Sequence, residues 1–78
     1  MTDLHLPGER AGPARWRLVR WLASDGSRVR VGQPLAELRP AESDGAAIRM
    51  SALATGTLWH QVRRGEVLHV GQVIGLIE

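Results

Sequence analysis

The chain repeats itself at an offset of 39 residues. Residues 26–38 run Gly-Ser-Arg-Val-Arg-Val-Gly-Gln-Pro-Leu-Ala-Glu-Leu, and residues 65–77 run Gly-Glu-Val-Leu-His-Val-Gly-Gln-Val-Ile-Gly-Leu-Ile. Val31-Gly32-Gln33 returns unchanged as Val70-Gly71-Gln72, and the lead-in segments are Trp21-Leu22-Ala23 and His60-Gln61-Val62. Two copies are too few for a solenoid or a propeller. They suit two similar units packed on each other, because each half leaves a face and edges bare that the other half covers. Gly26 and Gly65, like Gly32 and Gly71, fit turns that need positive φ.

The rest of the chain reads as short strands between turns. Leu4 and Leu6 alternate with polar neighbours and suggest an edge strand, which Pro7-Gly8 ends; residues 9–13 suggest a loop. Residues 16–23 are a β-type run whose alternation slips between Leu18 and Val19, where a bulge is expected. Asp25-Gly26 and Gly32-Gln33-Pro34 are turns around Val29 and Val31, and residues 35–38 form a strand stopped by Pro40. Asp44-Gly45 between two strand-like runs predicts a type I′ hairpin. After it, Ala46, Ile48 and Met50 share one face, expected inward, with Arg49 outward. Residues 56–62, 67–70 and 73–77 repeat the strand-turn-strand rhythm, and no amphipathic helix of useful length is apparent.

Composition narrows the chemistry. With 78 residues the chain is one domain's worth, and its core is thin. There is no cysteine, so disulfides and thiolate chemistry are excluded. All ten basic residues are arginine. The net charge is only +2 although the sequence pI is near 11.0, because no lysine, tyrosine or cysteine titrates between histidine and arginine. The high pI is therefore weak evidence for nucleic acid, and no aromatic-rich strand stands among the arginines to stack bases. His5, His60 and His69 have no metal spacing, and no metal is expected. The carboxylates are spread singly, and the serines lie in or beside turns, so no catalytic residue is expected and the protein is not expected to be an enzyme. Six arginines and one acid (Asp25) occupy residues 10–30, whereas Glu37, Glu42 and Asp44 stand against Arg39 in residues 37–44. This unevenness suggests a docking surface for a protein partner, with Glu42, Asp44 and Arg49 as candidate partner-binding residues; nucleic acid is not expected. An apolar run near the ~20 residues of a membrane span is missing, as is a signal-peptide core, and a cytoplasmic protein without a membrane span is expected.

Residues 21–35 and 60–74 resemble the half-repeat of the biotinyl/lipoyl carrier-domain family. That half-repeat is a tryptophan or apolar residue, Leu, Val, two polar residues, Gly, an acidic residue, then Val, x, Val-Gly-(Asp/Gln), x, Leu. Residues 43–50 resemble the family's modification hairpin, and residues 51–58 the stretch after it without the usual prolines. The resemblance covers residues 3–78 and implies an all-β fold: a flattened β-barrel or sandwich of two four-stranded sheets related by a pseudo-two-fold axis, a barrel-sandwich hybrid. It implies a single domain over residues 1–78 with half-repeats at about 14–39 and 54–78.

One departure governs what the resemblance implies about function. The family attaches lipoate or biotin to a lysine at the hairpin tip, and the matching position here is Gly45, within Asp44-Gly45-Ala46. The two methionines that flank a biotinyl lysine are missing, and no other lysine exists. No cofactor is expected. The family implies a protein partner such as a carboxylase or 2-oxoacid dehydrogenase component, with this chain as an unmodified interaction or accessory module. The unmodified lipoyl-like module of membrane-fusion or efflux adaptors is an alternative, although a long helical hairpin normally splits its halves. A carrier for acyl or carboxyl transfer with a non-lysine attachment is another.

Overall fold

A computed structural model describes residues 1–6 and 12–78 of the chain. Among the described residues there are eight strands and no helix: β1 (Thr2–His5), β2 (Arg15–Trp21), β3 (Arg28–Val29), β4 (Pro34–Pro40), β5 (Ile48–Ser51), β6 (Gly56–His60), β7 (Val67–His69) and β8 (Val73–Ile77). The break expected at Pro7-Gly8 and most of the loop expected at residues 9–13 lie outside the described residues. The first sheet has the order β1-β8-β6-β3 and the second β5-β4-β2-β7, with every pair antiparallel. Exchanging β1 with β5, β2 with β6, β3 with β7 and β4 with β8 turns one order into the other.

The same exchange relates the turns. Gly26 and Gly65 have φ of 80° and 89°, and Gly32 and Gly71 have 86° and 85°, the left-handed region in which a side chain would be strained. Ser27 N–H donates to Ser24 O and Glu66 N–H to Arg63 O, both at 3.1 Å. The repeated glutamine has a specific task. Gln33 Oε1 accepts from Arg30 N–H and Gln72 Oε1 from His69 N–H, both at 3.0 Å, so each amide side chain closes its own turn. The bulge expected beside Val19 is present, as a register shift between Leu18 and Arg20 against β4. Its extra residue makes Leu18 the counterpart of Leu58: Gly65 N–H donates to Leu18 O and Gly26 N–H to Leu58 O, both at 2.7 Å.

Nine large side chains are almost fully enclosed between the sheets: Leu4, Leu6, Val29, Leu18, Leu35, Leu38, Leu58, Leu68 and Ile74. Alternation along each strand delivers them, for example Leu18, Leu38 and Leu68 from neighbouring strands of the second sheet. Trp16 and Trp21 pack partly buried against this core, whereas Trp59 points outward from the first sheet and its Nε1 donates to Glu78 Oε1 at 3.1 Å. The Trp21 and His60 rings, one from each sheet, stack with centroids 3.9 Å apart and planes 7° from parallel. Trp21 Nε1 donates to Val62 O at 3.2 Å, and His60 Nε2 lies 2.9 Å from Ala23 O, where it is the donor because a carbonyl only accepts.

The two four-stranded sheets form the expected flattened sandwich, and among the described residues no strand of one sheet pairs with a strand of the other, so they are not closed into a barrel. Two expectations need correction. The Asp44-Gly45 pair is not a type I′ turn. Gly45 has no positive φ, and the chain reverses at residues 41–43, leaving residues 44–47 without regular structure. Pairing of β5 with β4 therefore begins only at Ile48 opposite Leu38. Ala46 is consequently exposed in the loop, and Ile48, at the end of an edge strand, is 36% exposed. Met50 is the first inward residue of this run to be buried, and Ala52 follows it; Arg49 is outward as expected.

Leu58→Ala is expected to lose about 2–5 kcal/mol, a large part of the stability of so small a core. Ile48→Ala is expected to lose about 1 kcal/mol or less, because the side chain is already partly in water. Urea denaturation of the two variants checks the assignment; equal losses would show that the Ile48 end of β5 is part of the core.

Candidate functional site

The β4–β5 connection is where the resemblance implied an attachment tip. Nine residues, 39–47, lie between the paired Leu38 and Ile48. Arg39 and Pro40 still pair with Arg17 and Trp16 of β2, which holds the base of the connection against the second sheet. Beyond them Arg15 and Glu42 form an ion pair. Gly45 N–H donates weakly to Ser43 Oγ at 3.4 Å, and the glycine is turned onto Pro40: a Cβ added at Gly45 would stand 2.9 Å from Pro40 Cγ. Gly45 is thus half-buried beside a proline ring and presents no side chain for acylation.

The candidate partner-binding residues do not form one cluster. Glu42 is engaged by Arg15, Asp44 is exposed in the loop, and Arg49 lies on the outer face of β5 opposite Glu37. The histidines are equally separate, and among the described residues no group of three or more His, Cys, Asp or Glu side chains could hold a metal ion. His5 Nδ1 lies 3.2 Å from Gly71 O and His60 is in the stack, so both rings have structural partners. No helix among the described residues is long and apolar enough to cross a membrane.

What the register does assemble is a cationic sheet face. Leu18, Ala36, Leu38, Met50 and Leu68 point inward, so the alternate residues of the second sheet point out. One outer row runs Arg49 (β5), Glu37 (β4), Arg20 (β2), with Arg20 Nη2 3.6 Å from Glu37 Oε1. The next runs Arg39 (β4), Arg17 (β2), Val67 (β7), and Arg15 stands opposite His69 beyond it. Five arginines therefore share this face with one carboxylate from the strands, Glu37, and with Glu42, which reaches Arg15 from the β4–β5 connection. The outer face of the first sheet carries instead the row Asp3, Leu76, Trp59, with Arg28 opposite Thr57.

Arg17 and Arg39 sit directly opposite each other. Like charges so placed weaken a sheet. Arg17 Nη1 donates to Gly65 O at 3.0 Å, which anchors one guanidinium without neutralising it, and Arg39 forms no ion pair with any described residue. The run of arginines in residues 10–30 signalled an excess of charge in the sequence, but its assembly with Arg39 and Arg49 needed the strand register. The Trp21–His60 stack was signalled only by the equal positions of the two residues in the repeat.

No family model matches the chain, and no curated protein matches it significantly.

Gly45→Ala and Gly45→Lys are each expected to lose about 1–3 kcal/mol through the clash with Pro40. Placing either change in a Pro40→Ala background removes the atom that is struck and should recover part of the loss, a coupling that a urea double-mutant cycle measures. Strictly additive losses would refute the contact.

Proposed function

We propose that this chain is a degenerate sandwich of the biotinyl/lipoyl type that carries neither lipoate nor biotin and works, without catalysis, as a protein-interaction module. The resemblance makes a carboxylase or 2-oxoacid dehydrogenase type assembly its setting, in which it is an accessory component. Lipoyl and biotinyl transfer form an amide with a lysine ε-amine on an exposed hairpin tip. Here the chain has no lysine, and the matching residue is a glycine folded onto Pro40.

The observation that carries the interaction reading is the outer face of the second sheet. Its Arg17–Arg39 opposition costs the sheet stability that a neutral or oppositely charged pair would not. An acidic protein surface offsets that cost on binding, and the guanidinium fork suits carboxylates held in pairs. No tryptophan points outward among these arginines, which favours protein over single-stranded nucleic acid, held largely by base stacking.

Arg39→Glu should place opposite charges across the β2–β4 pair and raise stability by about 0.2–1 kcal/mol. A carboxylase or dehydrogenase component is expected to co-purify with the wild-type chain from native cells and to be lost from Arg17→Glu/Arg39→Glu. A double variant that keeps the same partner would sink the docking face. Incubation with lipoate or biotin ligase and substrates should leave the mass unchanged at every internal residue; a lipoyl or biotinyl gain there overturns the non-carrier assignment.

A further inference from the structure

The near-symmetry of the sandwich exposes one position where the two halves differ in chemistry. Gln61 N–H donates to Ile74 O at 3.0 Å, and Leu22 N–H donates to Leu35 O at 2.7 Å. These matching bonds make His60–Gly75 and Trp21–Ala36 facing pairs without mutual hydrogen bonds, so His60 N–H points away from β8 and Trp21 N–H away from β4. In the first case the chain supplies the acceptor: Asp25 Oδ1 takes the His60 N–H at 2.7 Å. The residue 39 positions after Asp25 is Arg64, which has no acceptor to offer. Among the described residues the Trp21 N–H has no hydrogen-bond partner.

A cavity of about 390 Å³ opens at this point. It is lined by Trp21, His60, Val62, Arg63, Arg64 and Glu66, with Gln61. Arg63 replaces the Ser24 of the other half, as Arg64 replaces Asp25. Neither arginine forms an ion pair with a described residue. Glu66, the one carboxylate of the lining, is held by the Arg63 backbone N–H, 3.0 Å from Glu66 Oε1, and so closes its own turn.

We propose that this cleft binds a carboxylate supplied from outside the chain, which accepts the Trp21 N–H as Asp25 accepts that of His60 and is clamped by Arg63 and Arg64. The fixed stack of Trp21 on His60 holds the amide in place before the ligand arrives, so little ordering is needed on binding. The site adjoins the arginine face of the second sheet, because Arg17 Nη1 donates to Gly65 O between the lining residues Arg64 and Glu66, but it uses different groups and does not depend on the interaction proposed for that face. The carboxylate comes either from a free small acid or from an acidic segment of another chain.

The test is a titration of the ¹⁵N-labelled protein with sodium acetate, with hexaglutamate and with inorganic phosphate, at matched ionic strength. The Trp21 backbone amide should move saturably with acetate or hexaglutamate. Binding by hexaglutamate well beyond its number of carboxylates identifies an acidic chain as the source, and parity per carboxylate identifies a small acid. Arg64→Asp builds the missing internal acceptor: its Trp21 amide should already be shifted, and carboxylate affinity should fall by about tenfold or more, the equivalent of ~1.4 kcal/mol. Arg64→Gln, which removes the charge and adds no carboxylate, should weaken binding without that prior shift, and carries the test should Arg64→Asp not fold. A Trp21 amide unmoved by acetate and hexaglutamate, unaltered affinity in both variants, or tighter binding of phosphate than of either carboxylate would overturn the proposal.

Discussion

The sandwich hangs on the stack of Trp21 against His60. No backbone ladder connects the two sheets, so they are held by burial of apolar side chains and by the few polar contacts that reach across. The stack combines both. Two flat rings nearly parallel at 3.9 Å remove apolar surface from water, and each ring's N–H finds a carbonyl on the strand exit of the other: Trp21 with Val62, His60 with Ala23. Each acceptor lies two residues beyond the opposite ring, so the contact is reciprocal. Burial alone would let the sheets slide, because the hydrophobic effect has no direction. The reciprocal hydrogen bonds give the packing one setting.

That setting places the two halves in equivalent surroundings, and departures from equivalence then become informative. The turns keep their glycines and their self-closing glutamines because their geometry is common to both halves. The bulge after Leu18 adds a residue to β2 yet leaves Leu18 and Leu58 in matching positions, so the difference is absorbed locally. At Asp25 and Arg64 the surroundings match but the side chains have opposite charge, and one N–H is capped from within while the other is not. A shared geometry with unlike chemistry is what distinguishes a binding position from a structural one here.

Arginine and glycine account for the functional character of the surface. Arginine stays charged in any surroundings and donates in a fixed fork, so this lysine-free face keeps its charge and presents no ε-amine for acylation. Gly45 offers no amine in the loop that resembles an attachment hairpin, and a Cβ there would stand 2.9 Å from Pro40 Cγ, so the loop as folded leaves little room for a side chain. The same loop engages Glu42 with Arg15, which reduces the acidity that residues 37–44 suggest when counted as a sequence.

Local signals in the sequence suffice for the all-β class, the paired turns at Gly26, Gly65, Gly32 and Gly71, the bulge in β2 and the absence of a lysine ε-amine. These are local matters: φ preference, alternation along a single strand, and residue identity each act within a few neighbours. The tertiary structure decided the rest. Whether Ile48 is core depends on where β5 begins to pair, and that depends on how residues 41–47 settle against Pro40, which strict alternation from Ala46 to Met50 could not reveal. Arg17 and Arg39 are 22 positions apart in the chain and become neighbours only through the β2–β4 register. Trp21 and His60 were visible as equivalent positions, but their meeting requires two sheets to pack face to face, because side chains from separate sheets touch only once burial has brought the layers together.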